Sequence, residues 1–165
     1  MALVFIGLGS NLGDGRANLQ EAWQRLGASP GVQTLILSHA YASAPVGMAS
    51  VQKFTNAVGV CETKLSPQEL LAALLQTEAA MGRDRSQGMD RVIDLDILYF
   101  DDRVVQGPEL SIPHPEIAHR LFVLAPLAEL APDHRHPVSG LTSREMQRRV
   151  ADQAVEQIPW GVTAL

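Results

Sequence analysis

A chain of 165 residues with 46% hydrophobic and 19% charged side chains has the size and balance of one globular domain, which excludes an intrinsically disordered chain. A formal net charge of −5 argues against non-specific binding to nucleic acid or to an anionic membrane, so an anionic ligand has to be met by a local basic cluster. The single cysteine, Cys61, cannot form an internal disulfide; in its apolar stretch it reads as a small buried hydrophobe, and a reducing, cytoplasmic compartment is expected.

The apolar start, residues 1–8, has no basic residue ahead of it and reaches Gly7, Gly9, Ser10 and Asn11 too soon for a signal peptide, and no run is long enough for a membrane span. Leu3-Val4-Phe5-Ile6 reads as a buried strand that stops at the glycine-rich run 7–15. Leu19, Ala22, Trp23 and Leu26 recur at helical spacing, and Gly27 can end that helix. Strands are expected over 34–42 and 54–62, with a loop at 43–53 between them. Ser66-Pro67-Gln68-Glu69 is a capping box, followed by a buried face of Leu70, Leu71, Leu74 and Leu75 and a stop at Gly82. A strand over 92–100, a short apolar helix around 121–130 and a helix opened by Thr142-Ser143-Arg144-Glu145 complete the order. Strand, helix, strand, strand, helix, strand is the α+β, ferredoxin-like βαββαβ arrangement, an antiparallel sheet with helices on one face, here with additional C-terminal helices in a single domain over 1–165. Many functions use this architecture, so chemistry has to be read from residues.

In Val92-Ile93-Asp94-Leu95-Asp96-Ile97-Leu98 the period of a strand puts Asp94 and Asp96 on one face and Ile93, Leu95 and Ile97 on the other. Two rises separate the acids by about 7 Å, close enough for both to reach one hard cation or bracket a pair; the alternative is a solvated strand face. Just before them, Arg83, Arg85 and Arg91 crowd a glycine-containing loop, which suits phosphate oxygens or, alternatively, surface ion pairs with Asp84, Asp90 and Glu78. Pro113-His114-Pro115 with Arg120 and Phe122 behind it can serve an anion and a flat ring, although a lone loop histidine is most often a surface residue. Gly7-x-Gly9 is a weak match to a dinucleotide fingerprint, and Asp133-His134-Arg135-His136 reads as solvated loop. No Ser-His-Asp pattern and no Walker loop occurs.

Taken together, Phe5-Ile6-Gly7-Leu8-Gly9-Ser10-Asn11-Leu12-Gly13-Asp14, Pro45-Val46-Gly47 with Phe54-Thr55-Asn56-Ala57-Val58, Gly82-Arg83-Asp84-Arg85, Arg91 to Leu98 and Pro113-His114-Pro115 give a chain that closely resembles the 6-hydroxymethyl-7,8-dihydropterin pyrophosphokinase family over nearly its whole length. The resemblance implies ATP-dependent pyrophosphoryl transfer to the pterin, releasing AMP, in folate biosynthesis. It implies that Asp94 and Asp96 hold two Mg2+ ions, that Arg83, Arg85 and Arg91 engage the triphosphate, and that Glu78, Ile97, His114 and Arg120 belong to the nucleotide side. For the pterin it implies a ring held between Phe54 and Phe122 and read by Asn56, with Asn11, Ser43 and Val46 completing the wall. A stand-alone monomer with no nucleic-acid or membrane partner is expected.

Two departures stand out. The family often reads Gly-Pro-Arg before the acid strand where this chain has Gly88-Met89-Asp90-Arg91, and the arginine loop is short and lacks a tryptophan that some members carry. Near the start, Gly13-Asp14-Gly15 carries one extra glycine, which lengthens a turn. Two rival functions would leave part of this pattern unused. A regulatory module of the same fold needs neither the acid pair nor the arginine loop, and another metal-dependent phosphotransferase has no use for Phe54 and Phe122.

Overall fold

The computed structural model describes residues 1–44, 53–84, 86, 88 and 90–160. In chain order these form β1 (Ala2–Ser10), α1 (Gly15–Gly27), β2 (Val32–Leu37), β3 (Ala40–Ser43), β4 (Phe54–Thr63), α2 (Pro67–Ala80), β5 (Asp94–Phe100), β6 (Val105–Gln106), β7 (Ser111–Ile112), α3 (Leu121–Leu130), α4 (Ser143–Arg149) and β8 (Val155–Ile158). The main sheet is antiparallel and runs β5-β1-β4-β3-β8, with β2 also paired to β4. Taking β2 and β3 as one bent strand gives the ferredoxin-like order: last strand, first, third, second. Among the described residues no helix is long and apolar enough to cross a membrane.

Local signals fix the helices. Ser66 Oγ accepts the Glu69 amide while Glu69 accepts the Ser66 amide, and Thr142 and Glu145 repeat the arrangement at α4, so both capping boxes form as expected. Gly82, at φ +85°, turns the chain away from α2 in a backbone region that favours glycine. Leu75 departs from the expected buried face; it is 44% exposed, and Thr77 and Glu78 are buried on α2 instead.

Strand boundaries depart further. β1 does not stop at Ile6 but continues through Gly7, Leu8 and Gly9 to Ser10, paired on both sides by β4 and β5. The expected strand 34–42 breaks at Ser38, whose amide donates to Val58 O and whose hydroxyl accepts the Val58 amide, so that β2 and β3 bend around one point of β4. Strand β8, which has no clear pattern in sequence, adds an edge to β3.

Both faces of the sheet are covered. Val4, Ile6, Ala57, Cys61, Leu95 and Ile97 pack with Leu19, Ala22 and Leu26 of α1 and with Leu70 and Leu74 of α2. The additional C-terminal helices occupy the opposite face, where Phe5, Val58, Val60, Leu98 and Tyr99 meet Leu124 and Leu127 of α3 and Met146 of α4. The pairing Phe5↔Tyr99 followed by Ile6↔Ile97 leaves Leu98 as an extra residue in β5. This bulge puts Leu98 and Tyr99 both in the α3/α4 cluster, immediately after the acid pair.

The 133–136 segment is not simply solvated. The His134 ring lies 4.9 Å from Phe5 and 4.7 Å from Tyr99, and burial depresses its pKa. His136 is likewise depressed, by burial and then by His134. A histidine lowered on folding binds its proton more readily when unfolded. Its stabilising contribution is therefore full above the ordinary value of 6.5 and is lost as pH falls from there toward the folded value. Urea midpoints are expected to fall between pH of about 7.5 and about 5.5, and His134→Phe, which keeps the ring and removes the charge, should flatten that fall. Identical slopes in the two proteins would contradict the assignment.

Candidate active site

The α3/α4 face of the sheet is left uncovered at one end, and the reason lies in β1. Gly9 pairs with Asn56 on β4 and with Asp94 on β5; Gly7 pairs with Val58 and with Asp96. Two rows of three directly opposed residues therefore each have a glycine at their centre. Without side chains there, Asn56 and Asp94 face each other across two strand spacings, about 10 Å, and a cavity of about 340 Å³ opens over the glycines. The glycine pair is thus a floor within a strand, and its dinucleotide-fingerprint reading falls away.

On one side of the floor stand the acids. Both oxygens of Asp94 are ion-paired, Oδ1 to Arg83 Nη1 at 3.0 Å and Oδ2 to Arg91 Nη2 at 3.4 Å. The same Arg83 Nη1 lies 2.9 Å from Glu78 Oε2, so the ion-pair reading of this loop and its place beside the acids hold together for Arg83. Glu78 is buried beneath β5, where its Oε2 also accepts the Leu95 amide at 2.7 Å. Asp96 points into the cavity. Burial, reinforced by the charges of Asp94 and Glu78, pushes its carboxyl well above the usual carboxylate range, against the pull of Arg120 and Arg91. Its side chain is 40% exposed, but that surface borders two cavities walled by protein, so desolvation still dominates.

The other walls are aromatic and basic. The Arg91 guanidinium lies over the Phe54 ring at 5.3 Å and that of Arg120 over Phe122 at 5.6 Å, so each ring of the cavity carries its own cation. His114 Nδ1 accepts the Glu116 amide, which leaves the proton of the neutral ring on Nε2, 3.9 Å from Asp96 Oδ2. Burial and then Arg120 lower the His114 pKa, against the opposite influence of Asp94 and Glu116, so near neutrality the ring is an uncharged donor. Asn56 Nδ2 donates to Ser43 Oγ at 2.8 Å, and this directs Oδ1 over Gly9 toward the cavity.

A second cavity of about 170 Å³ lies along the free edge of β5, walled by Leu71, Leu95, Ile97 and Leu110 and carrying Glu109 and Ser111. It shares Asp96 and His114 with the first. The two cavities therefore meet at an acid and an imidazole.

Of the residues singled out from sequence, Phe54, Asn56, Arg91, Asp94, Asp96, His114, Arg120 and Phe122 line the larger cavity, and Ile97 lines the smaller. Ser43, Asn11, Glu78 and Arg83 stand behind these, holding Asn56, Arg91 and the acid strand. Arg85 and Val46 lie outside the described residues. Gly7, Gly9, Glu109, Ser111 and Glu116 were not singled out as site residues. The two glycines carried a signal, since they alternate with Ile6 and Leu8 at strand spacing.

The donor set bears on metal binding. Among the described residues no three acidic, histidine or cysteine side chains converge well enough to hold an ion alone. Two carboxylates fit instead an ion that takes its remaining ligands from phosphate oxygens and water, the usual habit of Mg2+. Burial first, and then the charges of Asp94 and Glu78, raise the Asp96 carboxyl, so a cation bound beside it would favour its charged form.

A cavity with aromatic and basic walls that meets a second cavity at Asp96 and His114 suits a two-substrate transferase that moves phosphate groups. The family model for 7,8-dihydro-6-hydroxymethylpterin-pyrophosphokinase (HPPK) matches residues 5–132, and the chain belongs to that family. The chain is 38% identical to the 2-amino-4-hydroxy-6-hydroxymethyldihydropteridine pyrophosphokinase of Methylorubrum extorquens, covering 96% of this chain and 99% of that one. With the Pseudomonas aeruginosa protein of the same name it shares 37% identity, covering 94% and 96%. Among solved structures, an HPPK-DHPS from Plasmodium falciparum superposes with a TM-score of 0.73 at 16% identity, over 92% of this chain and 44% of that chain, a likeness of fold.

The floor gives a direct test. A Cβ on Gly9 would sit 3.3 Å from Asn56 Oδ1 and 3.9 Å from Phe54 Cδ1. Gly9→Ala should keep the fold and weaken binding of 6-hydroxymethyl-7,8-dihydropterin by about tenfold or more, measured by calorimetry. Unchanged affinity would show that the ligand does not rest on this floor.

Proposed function

We infer that this chain transfers a pyrophosphoryl group from ATP to the hydroxymethyl oxygen of 6-hydroxymethyl-7,8-dihydropterin, giving the diphosphate ester and AMP, a step of folate biosynthesis. The observation that carries the reading is that Asp96 and His114 belong to both cavities, so that two ligands lying in them would meet beside Asp96 and His114. The pterin takes the larger cavity, its ring held by Phe54 and Phe122 and its edge read by Asn56. The nucleotide takes the smaller one, along Ile97, with its phosphates turned toward Asp94, Asp96 and the arginines.

Pyrophosphoryl transfer needs little covalent help; it needs alignment and compensation of charge spread over phosphate oxygens. Asp94 and Asp96 are the residues that would hold two Mg2+ ions, and the bound ions supply Lewis-acid neutralisation of the phosphates. Arg83, Arg91 and Arg120 add positive charge around the same oxygens, with Arg85 a further candidate. Neutral His114 donates from Nε2 to a phosphate oxygen without adding charge. Phe54, Phe122 and the glycine floor fix the plane of the pterin, so that its hydroxymethyl oxygen is presented to the β-phosphorus in line with the leaving AMP. In a loose transition state the acceptor proton is lost late, so the scheme assigns no side chain to remove it. The scheme calls on no side chain from a second copy, so the enzyme is read as a monomer, and its single, buried cysteine suits a reducing, cytoplasmic compartment.

Asp96→Asn is expected to lower AMP formation by about a thousandfold or more while leaving the thermal midpoint of the ligand-free protein unchanged or raised, because it removes a charge that burial and two neighbouring acids oppose. Chelation of Mg2+ should abolish AMP formation, and leaving out the pterin should do the same. An Asp96→Asn protein that makes AMP at the native rate would end this assignment.

A further inference from the structure

Asn11 follows directly on β1 and is only 5% exposed, yet it lines neither cavity. Its polar groups are directed to two consecutive residues at the base of the arginine loop. The Asn11 amide donates to Arg91 O at 3.0 Å, and Asn11 Oδ1 accepts the Arg91 amide at 2.7 Å. Asn11 Nδ2 donates to Asp90 Oδ1 at 2.8 Å. Asn11 thus imitates a strand neighbour, its backbone N–H meeting the Arg91 carbonyl and its side-chain oxygen meeting the Arg91 N–H. The Asp90 carboxylate in turn fixes which way the Asn11 amide faces, since only with Nδ2 toward Asp90 does Oδ1 meet the Arg91 amide.

We propose that Asn11 and Asp90 form a latch that positions Arg91, holding its guanidinium between the Phe54 ring and Asp94. The inference rests on the assignment of Arg91 to the phosphates. Arg91 reaches Phe54 at 5.3 Å and Asp94 Oδ2 at 3.4 Å through a long, rotatable side chain, so a drift of its backbone would carry the charge off both partners. β1 is an interior strand paired on both sides, by β5 and β4, which makes its end a rigid point from which to hold the loop. Asn11 and Asp90 are positioning residues.

The test combines turnover with amide exchange. Asn11→Ala and Asp90→Ala should each lower kcat/KM by about tenfold, and the double variant should lose no more than the greater single loss, because both break one device. Asp90→Asn, whose side-chain oxygen still accepts from Nδ2, should restore most of the activity. Exchange of the Arg91 amide, followed in the ligand-free protein, should quicken by about tenfold in both alanine variants. Since Asn11 is buried, Asp90→Ala carries the test should Asn11→Ala fail to fold. Wild-type kcat/KM and wild-type exchange in Asp90→Ala would overturn the latch, as would losses that multiply in the double variant. Arg91→Ala is the control for the underlying assignment: if it keeps full turnover, the phosphate role of Arg91 falls, and exchange at its amide still decides whether the latch exists.

Discussion

Two like charges held side by side on a rigid strand set the terms for everything around them. Alternation along β5 gives Asp94 and Asp96 one face, and the residue between them is fastened from the other. Leu95 buries its side chain against α1 and α2 while its amide is held by Glu78 of α2. The acids therefore cannot move apart to relieve their repulsion, and Glu78 adds a third negative charge behind them. What the backbone does not relieve must be met by cations, and the arginines on the loop between α2 and β5 are the part of the chain best placed to supply them.

The glycines complete that constraint. A strand crossing the middle of a sheet would ordinarily fill the space beside such acids with side chains, and Gly7 and Gly9 decline to. Their absence of side chains costs the sheet packing area on the α3/α4 face, and the bulge at Leu98 restores cover immediately beyond the site, where Leu98 and Tyr99 both return to that cluster. The cavity is thus bounded by a change of strand phase on one side and by Phe54 at the start of β4 on the other.

Features that depend on neighbours within one turn were legible in the sequence. The capping boxes at Ser66 and Thr142, the span of α3 and the alternation of Asp94 and Asp96 all follow from short-range rules, and the structure has each of them. The ordered motifs also identified the family. Features that depend on partners far along the chain were not legible. Gly7 and Gly9 look like a turn until β4 and β5 are known to flank them. His134 looks solvated until Phe5 and Tyr99, distant in sequence, are brought against it. The resemblance implies that Asn11 is a wall of the pterin pocket, whereas here its side chain bonds Asp90 and Arg91, partners 79 and 80 residues away, and lines neither cavity. Where the family often has a proline before that arginine, this chain has an aspartate. A covalent restraint on the backbone is replaced by a hydrogen-bonded one.

The ion pairs of the ligand-free site are unequal. Arg83 and Arg91 hold both oxygens of Asp94, whereas among the described residues the ion pairs give Asp96 only the His114 imidazole, at 3.9 Å and uncharged near neutrality. Asp94 is therefore compensated by the protein itself, and Asp96 by whatever enters. On the proposed function, a cation arriving with phosphates would gain most at Asp96, and the phosphates it brought would compete with Asp94 for the same guanidinium groups. In the proposed reaction, loading the site would exchange arginine–carboxylate pairs for arginine–phosphate pairs and leave Asp94 available to hold the cation, so the arginines that pair with Asp94 here would be those that grip the nucleotide.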